Sequence, residues 1–156
     1  MTVVATEIRT AAEWVEGFAD GWRAPADADS FSDHFAPLLD DEIRLVQPQL
    51  PTVIGKQAFR EEFARPLFNM LSDIRGEVGT WAATEDGELE IVFIELAIRA
   101  RLAGGRQVTL HTTDRITLRD GVAIERIANL DPLELLVPVA LSPRAWPAFI
   151  RARFGR

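Results

Sequence analysis

Three residues in the second half of the chain have the types and spacing for joint acid–base chemistry: Glu95, Asp114 and Arg126. They lie in successive apolar stretches separated by the turn dipeptides Gly104-Gly105 and Asp120-Gly121. A two-residue loop at the first turn places Glu95 opposite Asp114, and a three-residue loop with a glycine bulge at the second places Asp114 opposite Arg126. The sequence therefore predicts a polar row across three antiparallel strands, in a wall that is otherwise apolar.

Such a row could transfer protons, because two neighbouring carboxylates tend to share one proton and leave an acid beside a base. In this hypothesis Asp114 is the general acid/base or donates a hydrogen bond to a substrate oxygen, Glu95 tunes it, and Arg126 holds an anionic group or enolate. The alternative is an internal ion pair that fixes the sheet. The strand of Glu95 is apolar on both faces, so the pattern leaves open whether Glu95 faces the pocket or a partner subunit.

The elements that position this row begin with three predicted helices. Thr10 and Glu13 have capping-box spacing, and an apolar stripe of Trp14, Phe18 and Trp22 follows at every fourth residue. Core packing of the tryptophans is favoured over ligand stacking. The second helix has Ser30 or Asp29 as its predicted N-cap, and the third covers about 56–71 with a kink at Pro66.

The alternation pattern predicts strands at 42–47, 74–84, 88–102, 107–118 and 122–130. The last four are antiparallel because their connections are tight. Three helices and a meander bury their apolar surfaces only by stacking the helices on one side of the sheet. The predicted fold class is thus α+β, a curved antiparallel sheet with three N-terminal helices on its concave face. Ser142-Pro143 predicts a further short helix near the C-terminus.

Three local phrases carry a resemblance to a known family. They are Asp40-Asp41 before the first strand, the run 53–59 that opens the third helix, and Arg119-Asp120-Gly121 leading to Asp131-Pro132. In this order they resemble the SnoaL-like branch of the nuclear transport factor two-like superfamily. The resemblance implies one domain over 1–156, with its core at about 10–136 and a C-terminal extension at 137–156. It also implies a cone-shaped, cystatin-like α+β barrel with a pocket for a hydrophobic molecule, and homodimerisation through the outer sheet face.

The known mechanisms of this superfamily each lack a part here. By resemblance Asp114 matches the aspartic acid that hydrogen-bonds the substrate oxygen in ketosteroid isomerases, whose second donor is a tyrosine. This chain contains no tyrosine. The proton-shuttling base of those enzymes would fall at Gln47, and an amide cannot take up that proton at neutral pH.

Two other enzyme classes with this fold also match only in part. The catalytic aspartate of SnoaL-like cyclases would fall at Ala128. Epoxide hydrolases need an arginine and an aspartate two residues apart, where this chain has Glu95 and Ala97, although their remaining aspartate matches Asp131. The expected pocket lining is Gln47, Trp14, Phe18, Phe59, Phe63, Phe93, Thr112, Ala128 and Asp131.

Composition excludes several other functions. A net charge of −7 disfavours nucleic-acid binding, and without cysteine there is neither a thiol nucleophile nor a thiolate metal site. The two histidines, His34 and His111, lie too far apart for a metal-ligand motif, and His111 should face away from Asp114. We therefore expect no cofactor, no metal and no membrane partner, and a cytoplasmic location in the absence of a signal segment.

Two functions remain open from the sequence. One is a cofactor-free isomerase, cyclase, dehydratase or hydrolase that acts on a small hydrophobic molecule through carboxylate acid/base chemistry. The other is a non-catalytic module that binds such a molecule or supports dimerisation. A polar row in an apolar wall costs stability unless it is used, which favours the enzyme. Gln47, Ala128 and the missing tyrosine favour the module.

Overall fold

A six-stranded, curved and unclosed sheet forms one layer of the fold, and helices cover one of its faces. The computed structural model describes residues 8–47 and 50–155. The strand order is β2-β1-β6-β5-β4-β3, which leaves β2 and β3 as edges. The strands are β1 (Leu39–Gln47), β2 (Leu50–Ile54), β3 (Leu71–Asp86), β4 (Leu89–Leu102), β5 (Gln107–Arg119) and β6 (Val122–Leu130). This confirms the predicted α+β fold class and the four-stranded meander.

The helices fall into an N-terminal and a C-terminal set. They are α1 (Ala11–Arg23), α2 (Ala28–Phe35), α3 (Lys56–Ala58), α4 (Arg65–Met70), α5 (Pro132–Ala140) and α6 (Trp146–Phe154). A π-helical segment, Phe59–Ala64, joins α3 to α4, so the predicted third helix is one helical stretch of changing pitch. Its irregular part ends just before Pro66, which cannot donate a backbone hydrogen bond.

Two features of the sheet depart from the prediction. Strand β2, which was not predicted, pairs antiparallel with β1, whereas β1 pairs with β6 in parallel. The expectation of a wholly antiparallel sheet was therefore wrong for one strand pair. The register of β3 on β4 shifts twice, between Ser72 and Arg75 and between Val78 and Trp81. Each such bulge bends and twists the strand, which curves the sheet around the helices.

Capping boxes begin both N-terminal helices. Thr10 and Glu13 exchange hydrogen bonds as predicted, and the bond from the Thr10 backbone N–H holds the pKa of Glu13 below its usual value. In α2 the cap is Asp27, whose carboxylate accepts from the Ser30 N–H. The predicted caps Ser30 and Asp29 were wrong, because the helix starts earlier. Ser30 is the third residue of the helix, and its hydroxyl oxygen accepts the reciprocal bond from the Asp27 backbone N–H.

The core between helices and sheet is dominated by aromatic rings. Phe18 lies at 5.3 Å from Trp14 and 6.4 Å from Trp22, measured between ring centroids. Phe31 links α1 to the π-helical segment through Trp22 at 4.9 Å and Phe59 at 6.0 Å. Offset and edge-to-face ring pairs of this kind add about 0.5–1.5 kcal/mol each to the burial of their area. The apolar stripe of α1 thus forms the inner surface of the helical layer.

The C-terminal segment adds two helices over the same side of the molecule. Asp131 caps α5 by accepting from the Leu133 N–H, and Pro132 occupies the first turn. A 3-10 turn at Pro143–Ala145 then leads into α6, so the predicted C-terminal helix begins at Trp146. Of the described helices, none is by itself long and apolar enough to cross a bilayer. The pair Pro132–Ala140 and Pro143–Phe154, bent by 109°, reaches that length and composition only together.

A close approach of backbone and side chain fixes α1 on β3. A Cβ atom added at Gly76 would lie 2.6 Å from Cβ of Trp22 and 3.1 Å from its carbonyl oxygen. Three residues along the strand, a Cβ added at Gly79 would meet its nearest atoms only at 3.6 Å. Glycine at 76 therefore sets the depth at which Trp22 is placed in the core.

We expect Thr10→Ala to lower the free energy of unfolding by about 1 kcal/mol, because it removes the side-chain acceptor for the Glu13 N–H. Urea denaturation would measure the change. Thr10→Ser keeps the hydroxyl and should stay within a few tenths of a kcal/mol of the parent. Equal destabilisation by both variants would show that the capping bond contributes nothing.

We expect Gly76→Ala to destabilise the fold by about 1–3 kcal/mol, because the new methyl group overlaps Trp22. Gly79→Ala is the matched control on the same strand, and it should have a much smaller effect. Thermal denaturation followed by circular dichroism would compare the two. Equal melting temperatures for the two variants would contradict the close packing of α1 on β3.

Candidate active site

The register between β4 and β5 separates two of the three predicted site residues. Asp114 pairs with Ile94, and Glu95 pairs with Thr113. The loop is longer than two residues: Arg101 pairs with Gln107, and the turn between them contains both glycines. Each pairing therefore slips by one residue, which turns Glu95 to the opposite face of the sheet. Glu95 is exposed there, and its predicted place beside Asp114 was wrong.

The register between β5 and β6 brings Arg126 to Asp114 by a different route from the predicted one. Asp120 and Gly121 form a two-residue turn with φ values of 50° and 75°, rather than the predicted three-residue loop. A bulge follows, because Thr117 pairs with Glu125 whereas Leu118 pairs with Ala123. Asp114 consequently lies opposite Ala128, and Arg126 lies diagonal to it on the same face.

Asp114 and Arg126 form a buried ion pair. Nε and Nη2 of Arg126 both donate to Oδ2 of Asp114, at 2.9 and 2.6 Å. Asp114 is fully buried, and Arg126 is 8% exposed. The guanidinium carbon also lies 5.2 Å from the ring centroid of Phe18 and 5.7 Å from that of Trp22, within the range of cation–π attraction. Strand register and the α1 stripe thus hold the cation from both sides.

A narrow cavity of about 60 Å³ lies next to this pair, between the sheet, the third helical stretch and the C-terminal helices. That volume has room for a few water molecules. Its lining is mostly aliphatic and aromatic, and Arg126 is the one charged side chain among the described residues that form it. The lining residues are Trp22, Gln47, Leu50, Phe63, Pro66, Leu67, Met70, Leu71, Ile98, Leu110, Thr112, Arg126, Ala128, Leu130, Leu135 and Ala152.

Three buried polar atoms around this cavity have no hydrogen-bond partner: Nε1 of Trp22, Oγ1 of Thr112 and Oδ1 of Asp114. Trp22 and Thr112 line the cavity, and Asp114 is bonded to Arg126, which also lines it. A buried unpaired polar group costs about 1–3 kcal/mol, so the two in the cavity wall indicate a place where water or a ligand completes the bonding.

The predicted lining residues divide into three groups. Gln47, Phe63, Thr112 and Ala128 line the cavity. Trp14, Phe18 and Phe59 are buried in the aromatic core instead, because the stripe of α1 and the π-helical segment fill the inner part of the cone.

Two further predicted lining residues lie outside the cavity. Phe93 is 44% exposed on the same outer face as Glu95, since both alternate with the inward Ile94. Asp131 is exposed as the N-cap of α5. Their assignment to the pocket was wrong.

The histidines lie away from the cavity. His111 is on the outer face, where its Nδ1 lies 2.8 Å from Oε1 of Glu134 and its backbone N–H donates to Oε2 of the same residue. Nε2 of His34 lies 2.7 Å from the carbonyl oxygen of Gly17. Within residues 8–47 and 50–155, no group of His, Asp or Glu side chains could hold a metal ion.

Sequence reasoning missed several residues that build the site. Trp22, predicted as core, also forms part of the cavity wall. Met70 and Leu71 come from the junction of α4 and β3, and Leu135 comes from within α5. A signal for α5 exists in the pair Asp131-Pro132, since an acceptor side chain followed by proline is a typical helix start. For the connection between β5 and β6, the one sequence signal is the preference of Asp-Gly for a two-residue turn.

Several solved structures have the same fold as this chain. An NTF2-like protein of unknown function from Exiguobacterium sp. 255-15 has 25% identity and a TM-score of 0.61, over 76% of this chain and 98% of its own. A Jannaschia sp. CCS1 protein assigned as a SnoaL-like polyketide cyclase has 21% identity and a TM-score of 0.64, over 92% and 98%. A Catenulispora acidiphila protein with a ketosteroid isomerase-like fold, in complex with trimethylamine, has 14% identity and a TM-score of 0.65, over 84% and 95%.

Comparison with curated proteins finds no match. The family model described as the SnoaL-like domain matches residues 11–127, which include α1, the whole sheet up to the middle of β6, and both members of the buried ion pair. The chain therefore belongs to the SnoaL-like domain family.

Proposed function

We propose that the protein binds a small, largely apolar molecule through an oxygen atom that accepts hydrogen bonds from Arg126, and acts on it as a cofactor-free isomerase or cyclase. The observation that carries this proposal is the isolation of Arg126. It is the one charged side chain among the described lining residues, in a wall that is otherwise mostly apolar. An apolar pocket with one cation selects molecules with an apolar body and one electron-rich oxygen. At about 60 Å³ the cavity must widen to admit a ring.

The position of Arg126 is suited to stabilising charge that develops on that oxygen. Asp114 and the rings of Phe18 and Trp22 hold the guanidinium before any ligand arrives, so little reorganisation is needed when charge forms. Asp114 is a positioning residue in this role, because it contacts Arg126. The unpaired Nε1 of Trp22 and Oγ1 of Thr112 would supply two further hydrogen bonds.

A second role is proposed for Asp114 as the proton acceptor of an isomerisation. Its support is Oδ1, which is buried and unpaired while Oδ2 is bonded to Arg126. Asp114 itself is outside the cavity lining, so this role requires a contact with Oδ1 that forms when the substrate binds. In this step a C–H bond next to the substrate carbonyl breaks and its proton passes to Oδ1. The electron pair becomes an enolate, whose oxygen Arg126 stabilises, and return of the proton to another carbon completes the isomerisation. Glu95 has no part in it, because it lies on the other face.

The charge on Arg126 is tested with three one-ring probes: benzoate, benzyl alcohol and toluene. We expect the parent protein to prefer benzoate, and Arg126→Met to lose that preference by at least about tenfold, because a hydrogen bond to a charged group contributes about 1.5–3 kcal/mol. Binding would be followed by NMR titration of the protein.

Removing Arg126 alone leaves Asp114 buried and unpaired, which costs about 3–5 kcal/mol of stability. The double variant Arg126→Met/Asp114→Leu removes both charges and should recover most of that loss, because a buried pair can be replaced by apolar residues of similar volume. It provides a folded protein without the cation. Undiminished benzoate affinity in the double variant would contradict the proposed role of Arg126.

The proton-transfer role is tested by hydrogen–deuterium exchange at C6 of cyclohex-2-enone, the saturated carbon next to the carbonyl, in D2O, followed by NMR. We expect exchange above background with the parent protein and a loss of about 100-fold or more in Asp114→Asn, the usual size of a general-base contribution. Glu95→Gln is the control, and its rate should equal that of the parent. Binding of the probes without any exchange would favour the non-catalytic module.

A further inference from the structure

The C-terminal helices carry most of the exposed large hydrophobic side chains of the described chain. Eleven large hydrophobic side chains are exposed, and seven of them lie in α5, in α6 or in the turn between, at 41–72% exposure. These seven form what we term the C-terminal apolar face: Leu133, Leu136, Val137, Leu141, Trp146, Ile150 and Phe154. Concentrations of this kind mark interaction sites, whereas single exposed apolar residues need no explanation.

Helical periodicity makes each helix contribute one continuous stripe to this face. In α6 the exposed residues are Trp146, Ile150 and Phe154, each four positions from the last. In α5 the exposed Leu133, Leu136 and Val137 are three and four positions apart. The opposite side of α5 is buried through Leu135 and Val139, so α5 is apolar on both its inner and its outer sides.

Charge is segregated in the same segment. Residues 135–156 contain four arginines and neither Asp nor Glu, although the whole chain has 24 acidic residues against 17 basic ones. Among these arginines, Arg144 and Arg151 are exposed. The guanidinium of Arg153 lies 5.2 Å from the ring centroid of Phe154. Helix α5 contains Glu134 and no arginine, so the cationic part of the segment is the turn and α6, which stand out from an acidic protein.

Hydrogen bonds fasten this segment to the body of the fold. Trp146 Nε1 donates to the carbonyl oxygen of Val139, which joins α6 to α5. Nε of Arg106 donates to Oγ of Ser142 at 2.9 Å, which joins the turn to the β4–β5 hairpin. Glu134 accepts from the His111 backbone N–H, which joins α5 to β5. The apolar face is therefore presented by an anchored surface.

We propose, against the sequence-based expectation of no membrane partner, that the C-terminal apolar face docks this protein onto the surface of an anionic lipid bilayer, with α5 and α6 lying in the interface. Each helix has nine residues and is about 13 Å long, far less than the roughly 30 Å hydrocarbon core. A stripe with Trp, Phe, Ile and Leu beside arginines is the composition of interfacial helices, whose cations contact anionic headgroups.

Charge complementarity selects an anionic bilayer over a neutral one. Each arginine near an anionic lipid surface increases binding by about fivefold, and the attraction decays within a Debye length. Docking would also bring the bilayer to the cavity wall, because Leu135 of α5 and Ala152 of α6 line the cavity. The proposal itself stands independently of what the cavity binds.

The test is co-sedimentation of the full chain with phosphatidylcholine vesicles containing 0% or about 30% phosphatidylglycerol. We expect binding to the anionic vesicles that weakens as salt is raised, because salt screens the arginines. Ile150→Asp should weaken it by about tenfold or more, since one apolar anchor is lost and an acidic group is added. Arg151→Glu should also weaken vesicle binding, and the loss should be larger at low salt than at high salt.

Matched controls are Ile54→Asp and Arg99→Glu, which change exposed residues that are not part of α5, of α6 or of the turn between them. Both should bind the vesicles as the parent does, and circular dichroism would verify that every variant is folded. The proposal is overturned if the parent fails to sediment with anionic vesicles at low salt. It is also overturned if Ile54→Asp weakens binding as much as Ile150→Asp, or if Ile150→Asp instead converts a dimer into a monomer.

Discussion

The buried pair of Asp114 and Arg126 is the interaction on which the rest of the site depends. Transferring both charges from water is costly, and their attraction balances the cost only while the pair stays intact. Two elements keep the pair intact. The β5–β6 bulge brings Arg126 to Asp114, and the aromatic stripe of α1 packs against the guanidinium. Oδ2 of Asp114 accepts both bonds from Arg126, and Oδ1 is buried without a hydrogen-bond partner.

The packing of α1 connects the sheet to this pair. Gly76 lets β3 approach Trp22, and Trp22 in turn faces Arg126, packs on Phe31 and lines the cavity. A change in the depth of α1 would thus move the ring that holds the cation. The tight aromatic core also explains the small cavity: rings from three helical elements fill most of the cone, and the remaining space collects the unpaired polar atoms.

The two faces of the sheet have separate characters. Inward residues of β4 and β5 are mostly apolar, with Thr112 and Asp114 as polar exceptions, whereas the outer face has Phe93, Glu95 and His111. The C-terminal helices bridge these two sides, since Glu134 bonds to His111 on the outer face while Leu135, its neighbour, lines the cavity. The same segment thus lines the cavity on its inner side and presents exposed apolar side chains on its outer side.

Sequence by itself determined the fold class, the meander with its strand bounds and the Thr10 capping box, because alternation, helical periodicity and turn residues act over short distances. It also placed Asp114 and Arg126 on one face. The shorter turn and the bulge each move the register by one residue, and a total shift of two residues leaves both side chains on the same side of the sheet. It could not place Glu95, because a longer β4–β5 loop moves the register by one residue and reverses the face. Only the tertiary structure decided that the aromatic rings fill the cone, that β1 joins β6 in parallel, and that two C-terminal helices cover the cavity. Those outcomes depend on packing between elements distant in the chain, which no local pattern encodes.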